Sequence, residues 1–218
     1  MVILLALAFI GMPIAFSFAL VGFAGVLVIK GIGPGLSMMG SAPWQWASQA
    51  GLVVVPLFIL MGQFAFHSGI SRDLFTAANR WLGRLPGGLA LATNLACTAF
   101  AACTGSSVAT GATMGTIAYP DMMKYKYSPR LATGCIASGG TLGVLIPPSV
   151  VFILYGFLTA EPIGVLFIAG IMPGLLLSAL FLAIIVGIVV INPSQGPRGD
   201  TFTWKERFSS LSLSLIHI

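Results

Sequence analysis

The stretch Thr141-Leu142-Gly143-Val144-Leu145-Ile146-Pro147-Pro148-Ser149 sits in the middle of an apolar run from Leu131 to Leu158. Two adjacent prolines cannot continue an α-helix. Neither donates a backbone N–H, and each ring crowds the carbonyl four residues earlier. Those carbonyls belong to Gly143 and Val144. Ile146 and Pro147 each precede a proline, which disfavours the α region for both. In lipid, backbone groups without partners are tolerated only where protein buries them or where they line a cavity. The sequence therefore predicts a broken helix over 131–158 whose freed oxygens face something other than lipid, a feature of transporter folds.

A second polar break lies upstream, Cys103-Thr104-Gly105-Ser106-Ser107-Val108-Ala109-Thr110-Gly111. It separates two short apolar segments, Leu89–Ala102 and Val108–Ala118. The first would make a helix of about 21 Å, too short for a hydrocarbon core of about 30 Å. The pair reads as a re-entrant helical hairpin, 89–118, that enters and leaves on one side. Serine and threonine supply hydroxyl oxygens, the turn supplies free carbonyls, and Gly105 tolerates backbone angles that other residues resist. Thr104, Ser106 or Ser107 can cap the second half-helix, whose N-terminus then suits an anionic group. Gly105, Ser106 and Thr110 are the expected contacts to such a substrate. The end of the first half-helix carries the opposite partial charge and suits a cation. Neutral oxygens suffice for a hard cation, so the lack of Asp or Glu in these segments weighs against a proton relay but not against sodium.

Each of these residues has a plainer reading when taken alone. Serine and threonine in apolar helices usually bond to their own backbone. A lone proline such as Pro13 or Pro173 makes a kink, and spacings such as Gly111/Gly115 and Gly170/Gly174 bring helices close. The combination of a polar hairpin tip with a diproline break is what points to an ion or substrate.

The rest of the chain frames these two breaks. Val2–Ile29 is long enough to span, kinked near Pro13, and lacks the basic start and cleavage site of a signal peptide. Lys30–Gln49 reads as a Gly/Pro/Trp-rich connection, with Trp44 and Trp46 suited to a membrane interface. Gly51–Phe66 is a second apolar run. Over 71–85, Leu74, Phe75, Ala78, Trp81 and Leu82 recur at helical spacing opposite Arg72, Asp73, Arg80 and Arg84, which predicts an interfacial amphipathic helix. Ile163–Ile191 is the last apolar run. The organisation expected is scaffold-type helices over 1–85, a transport-type half over 86–158, a spanning helix over 159–192 and a polar tail over 193–218. With the N-terminus inside and 89–118 as a hairpin, every Lys and Arg except Lys30 falls on one side. The positive-inside rule makes that side the cytoplasm.

Composition excludes other classes. Charged residues are 7% of the chain and hydrophobic ones 57%, which indicates an integral helical membrane protein in a lipid bilayer. The net charge of +5 does not signal nucleic acid, because the basic residues sit in short loops. Cys97, Cys103 and Cys135 lie in apolar segments and read as small buried side chains. His67 and His217 are isolated, and no Ser/His/Asp set or carboxylate pair supports enzyme chemistry.

Four motifs occur in order: Leu85-Pro86-Gly87-Gly88-Leu89-Ala90, Thr104-Gly105-Ser106-Ser107-Val108-Ala109, Gly143-Val144-Leu145-Ile146-Pro147-Pro148-Ser149, and Leu166-Phe167-Ile168-Ala169-Gly170-Ile171-Met172-Pro173-Gly174. Over residues 1–208 the chain resembles the large membrane subunit (DctM-like) of tripartite ATP-independent periplasmic (TRAP) transporters. That resemblance implies one half of an inverted-repeat, all-α integral membrane fold. It implies a Na⁺-coupled secondary importer that works by an elevator movement in the bacterial inner membrane. The cargo would be an organic acid of the dicarboxylate, keto-acid or sialic-acid type. A periplasmic substrate-binding protein would deliver it, and a small membrane subunit would complete the complex. Carried onto this chain, the sodium ligands would be Thr104 and Ser107, with Gly143, Ile146 and Pro148 acting through their carbonyls. Thr104 stands where the family usually has serine and keeps the hydroxyl. Thr110 stands where an acidic residue is often found. The family's second repeat has no counterpart in this chain, and Ser209–Ile218 departs from the family pattern as a truncated or foreign end would. One repeat alone is expected not to transport. A non-transporting scaffold and an ion channel are the alternative functions. The first leaves the diproline without a role, and the second requires a continuous polar path.

Overall fold

The structure, a computed structural model, describes residues 2–216. Every element among them is helical. Two compact units divide the chain, Met1–Leu52 and Val53–Ile218.

The first unit holds α1 (Val2–Phe9), α2 (Ile14–Lys30) and α3 (Ile32–Ala47). The single kinked helix expected over 2–29 is instead two helices. Gly11 takes a left-handed φ of +88° ahead of Pro13, and this opens the ladder completely. The connection expected over 30–49 is largely α3, which carries Pro43 inside it. Its Gly, Ser and Pro content lowers propensity without forbidding a helix, and packing on α2 holds it.

The second unit holds α4 (Val54–His67), α5 (Ile70–Leu82), α6 (Gly88–Thr104), α7 (Ser107–Lys124), α8 (Pro129–Leu145), α9 (Val150–Thr159), α10 (Ile163–Ile191) and α11 (Trp204–Ile216). α6 is the centre. Alanine and threonine predominate along it, so neighbours approach closely, and α4, α5, α7, α8 and α10 all pack on it. Leu89, Ala90, Ala92, Cys97, Phe100 and Ala101 are fully or almost fully buried. A helix packed by protein along most of its surface, with Leu95 and Ala102 left exposed, need not match its length to a bilayer. α8–α9 (129–159) and α10 are long and apolar enough to cross a membrane, and α4 with α5 forms a further apolar pair bent by 59°. These features make the chain an all-α, multi-pass membrane protein.

The amphipathic helix expected over 71–85 runs over 70–82, and its apolar face is covered by protein. Phe75 and Ala78 are buried in the core that α6 shares, and Trp81 packs edge-on against Trp204 and Phe208 of α11. The segment read as a polar tail thus contains a helix docked on α5. Thr203 and Glu206 start that helix, where the Thr203 backbone N–H and hydroxyl both donate to the Glu206 carboxylate. The second arm of the hairpin is longer than the 108–118 predicted. It continues through Pro120 to Lys124, because the aromatic and methionine side chains beyond Ala118 find a core at the hairpin base.

α6 and α7 double back on one another. Thr93 Oγ1 near the start of α6 lies 3.9 Å from Met122 Sδ near the end of α7. The Leu89 N–H donates to the buried Tyr127 hydroxyl at 3.1 Å. Burial pushes that hydroxyl up to about 12, while the Leu89 N–H acts in the opposite sense. The chain after α10 returns to the same end. Ser128 N–H donates to Gln195 O at 3.0 Å, Gly87 N–H to Gly196 O at 2.9 Å, and the Tyr125 hydroxyl to the Asp200 carboxylate. That bond, with burial and the nearby carboxylates acting the same way, pushes Tyr125 up to about 12. The loops and helix ends carrying Arg84, Lys124, Lys126, Arg130 and Arg198 therefore gather at one end of the unit.

Candidate functional site

Four residues make the hairpin tip, and each has a local reason. Thr104 ends α6. Gly105 takes φ +59° and ψ 17°, the left-handed cap, and its N–H reaches Ala101 O at 2.9 Å. Ser106 is extended and its hydroxyl accepts the Ala109 N–H at 3.3 Å, which starts α7. A C-cap glycine followed directly by an N-cap serine turns one helix into the next within two residues. The Ser107 and Val108 N–H groups open α7 toward the turn.

The break has a matching construction. Ile146 is the extended C-cap of α8, the Pro147–Pro148 peptide bond is cis, and extended Ser149 precedes α9. The last backbone bond of α8 runs from Ile146 N–H to Leu142 O at 2.9 Å. Among the described residues, no N–H bonds to the carbonyls of residues 143–148. The Ser149 hydroxyl is fully buried and likewise has no partner.

Tip and break meet. α6 and α8 each have 17 residues and each begins at the base. At about 1.5 Å per residue, both therefore reach the same depth, about 26 Å in. A Cβ added to Gly143 would lie 2.7 Å from Ser106 C and O and 2.8 Å from Ser107 N. One added to Gly105 would fall on the Pro148 carbonyl oxygen. Val150 N–H, at the head of α9, donates to Gly105 O at 3.4 Å. Gly105, Ser106 and Ser107 are thus brought against Gly143, Pro148 and Ser149, backbone to backbone. From the far side, Ile146 Cγ1 packs over Gly174 of α10, so the Ile146 side chain points away from the tip.

The hydroxyls divide. Thr104 Oγ1 donates to Phe100 O at 3.2 Å and lies 3.0 Å from Thr110 Oγ1. Having one proton, it accepts from Thr110 and retains a lone pair. Thr110 is fully buried inside the hairpin and does not reach the open side of the tip. Gly105, Ser106, Ser107 and Thr104 do. They line a cavity of about 500 Å³ together with Ala109, Val144 and Val150, and Ile59, Gly62, Gln63 and Phe66 of α4 close the opposite wall.

Two residues were not assigned from sequence. Ser149 belongs to the quoted diproline motif, but only the fold shows its hydroxyl buried and unpartnered at the junction. Gln63 carried a legible signal, a carboxamide inside an otherwise apolar run.

A polar turn and a broken helix that meet among apolar helices are a construction found in membrane transporter folds. The sequence profile of the tripartite ATP-independent periplasmic transporter DctM component matches residues 1–211. The large permease DctM of a C4-dicarboxylate TRAP transporter from Pseudomonas aeruginosa is 40% identical over 154 residues, 70% of this chain and 36% of that protein. The ectoine permease TeaC of Halomonas elongata is 32% identical across 97% of this chain and 49% of its own length. The sialic acid permease SiaM of Vibrio cholerae is 30% identical across 79% of this chain and 40% of its own. The chain belongs to the DctM family of TRAP transporter large permeases, and it spans about half, or less, of the length of the relatives it matches.

Proposed function

We propose that this chain supplies the first repeat of a Na⁺-coupled permease that imports an organic acid across the bacterial inner membrane. The observation that carries the proposal is the junction of tip and break. Among the described residues, carbonyls 143–148 accept no hydrogen bond, and the buried Ser149 hydroxyl is unpartnered, at the point where Gly105–Ser107 is pressed against them. A buried oxygen without a donor, as at Ser149, is costly, and a cation of sodium size that takes neutral oxygens relieves that cost and uses the free carbonyls beside it. Thr104 and Ser107 hydroxyls and the Gly143, Ile146 and Pro148 carbonyls form the ligand set, and Thr110 orients Thr104.

The substrate acid group sits in the cavity at the N-terminus of α7, contacted by Gly105 and Ser106. There the helix dipole and free N–H groups favour negative charge. Sodium bound beside it adds positive charge to the same turn, so each raises the affinity of the other. This reciprocal linkage couples the two fluxes. The hairpin is re-entrant with its base at the cytoplasm, together with the N-terminus and the basic loops. It moves with α8–α9 as one body in an elevator step. A periplasmic binding protein delivers the substrate and a small membrane subunit completes the complex. The relatives' names, C4-dicarboxylate, ectoine and sialic acid permeases, favour transport over enzyme activity and small polar organic solutes as the cargo.

The test is uptake into vesicles by the intact permease with its partners. Uptake should require Na⁺ and fail when choline replaces it. Ser107→Ala should raise the Na⁺ concentration for half-maximal rate about tenfold, the cost of one ligand. Equal uptake in choline would refute the coupling. An unchanged Na⁺ dependence in Ser107→Ala would refute the site.

A further inference from the structure

The wall of the cavity opposite the tip belongs to α4, and α4 is apolar throughout except for Gln63 and the terminal His67. A carboxamide on such a helix is costly in lipid unless it finds a partner or a wet cavity. Gln63 makes no hydrogen bond among the described residues. Its side chain is exposed, and it lines the same cavity as Ser106 and Ser107. The two walls are held in register by Gly62, where an added Cβ would lie 3.2 Å from Thr104 O, so α4 rests on the backbone of the tip.

We propose that Gln63 is a specificity-determining residue that hydrogen-bonds the second polar group of a bifunctional organic anion. This rests on the transport reading above and adds to it a residue and a class of substrate. The acid group lies at the α7 N-terminus. Across the cavity, the carboxamide both donates and accepts, so it fits a hydroxyl, carboxylate or amide at the far end. A cavity of about 500 Å³ has room for both ends of such a solute. A monofunctional acid would leave Gln63 to water and forgo this hydrogen bond, so a bifunctional anion is bound in preference. α4 and the hairpin would thus contact opposite ends of one molecule.

Two experiments test this in the intact permease in membrane vesicles. The first replaces Cys103 by Ser and introduces Gln63→Cys or Phe64→Cys. Phe64 is 68% exposed on the same helix but does not line the cavity. A water-soluble sulfonated thiosulfonate reagent attacks thiolates in water. Gln63→Cys should react at least about tenfold faster than Phe64→Cys, and should be slowed by whichever of succinate, isethionate or N-acetylneuraminate the wild type transports fastest. Equal rates, or no protection, would overturn the proposal. The second replaces Gln63 by Met, of similar length but without the amide. The ratio of uptake rates among the three probes should shift about tenfold, the worth of one hydrogen bond to a charged or polar end. Wild-type uptake with an unshifted ratio in Gln63→Met refutes the role of Gln63 alone. No Na⁺-dependent uptake of any probe by the wild type refutes the transport reading and this inference with it. Should Gln63→Met not accumulate, the labelling experiment still decides.

Discussion

Replacing Gly105 by alanine tests the junction directly. Gly105 sits at φ +59°, where a residue with a Cβ costs about 1–2 kcal/mol. The new methyl would also fall on the Pro148 carbonyl oxygen, with Pro148 C at 3.1 Å and Ser149 Cα at 3.3 Å. All three are backbone atoms, so no side-chain rotation relieves the overlap. The tip must withdraw, and the Val150 N–H to Gly105 O bond is lost, at about 1 kcal/mol. The sum is about 3 kcal/mol. For a unit of this size each kcal/mol lowers Tm by about 2–4 °C, so melting should fall by about 6–12 °C. Gly143→Ala attacks the same junction from α8, with Ser106 C and O at 2.7 Å, and should cost about 1–2 kcal/mol less, because Gly143 is helical and carries no left-handed strain. The double variant should then be clearly less destabilised than the sum, because one separation relieves both clashes. Gly115→Ala, in the same hairpin with nothing within 4 Å, is the control and should be neutral or stabilising by about 0.5–1 kcal/mol. Thermal melting of the purified chain in lipid nanodiscs reads all four. A wild-type Tm for Gly105→Ala, or strictly additive losses in the double variant, would refute the close seating of tip on break.

Three further outcomes are expected. Tyr127→Phe leaves the Leu89 N–H at the buried start of α6 without an acceptor, which should cost about 1–3 kcal/mol in the same melting assay. Asn94→Ala should destabilise by about 1–2 kcal/mol. Asn94 Oδ1 accepts from Ser178 at 3.2 Å and Thr98 Oγ1 lies 2.7 Å from Ser178 Oγ, so the change strips a buried link between α6 and α10. Ser178→Ala made together with it should add little. The Tyr125 bond to Asp200 should fail only in alkali. A hydroxyl raised from 10.0 to about 12 in the fold stabilises it fully below pH 10, and the contribution disappears as pH rises toward 12. Hydrogen exchange or limited proteolysis of residues 196–203 should increase across that window in the wild type, whereas Tyr125→Phe should be loose at neutral pH already.

Much of the helical framework is legible because its causes are local. Pro147-Pro148 stops α8 whatever surrounds it, and Thr104-Gly105-Ser106 encodes a C-cap and an N-cap in succession. The period of Leu74, Phe75, Ala78, Trp81 and Leu82 gives α5. Local rules misjudged residues 30–49, where glycine and proline content suggested a connection and packing on α2 made α3. They also ended the second hairpin arm at Ala118, because a proline four turns into a helix reads as a stop until a tertiary core is there to hold it.

The sequence by itself determined that two polar breaks interrupt apolar helices, and that the chain is an all-helical membrane protein of the DctM family. Breaks, caps and hydropathy depend on neighbours within a few residues. Only the tertiary structure decided that Gly105 lies against Pro148, that Gly143 faces Ser106 and Ser107, that Ser149 is buried without a partner, and that Gln63 faces the tip. Those contacts join residues far apart in the chain. They depend on α6 and α8 starting from one base with equal length, and on glycines small enough for one backbone to rest on another.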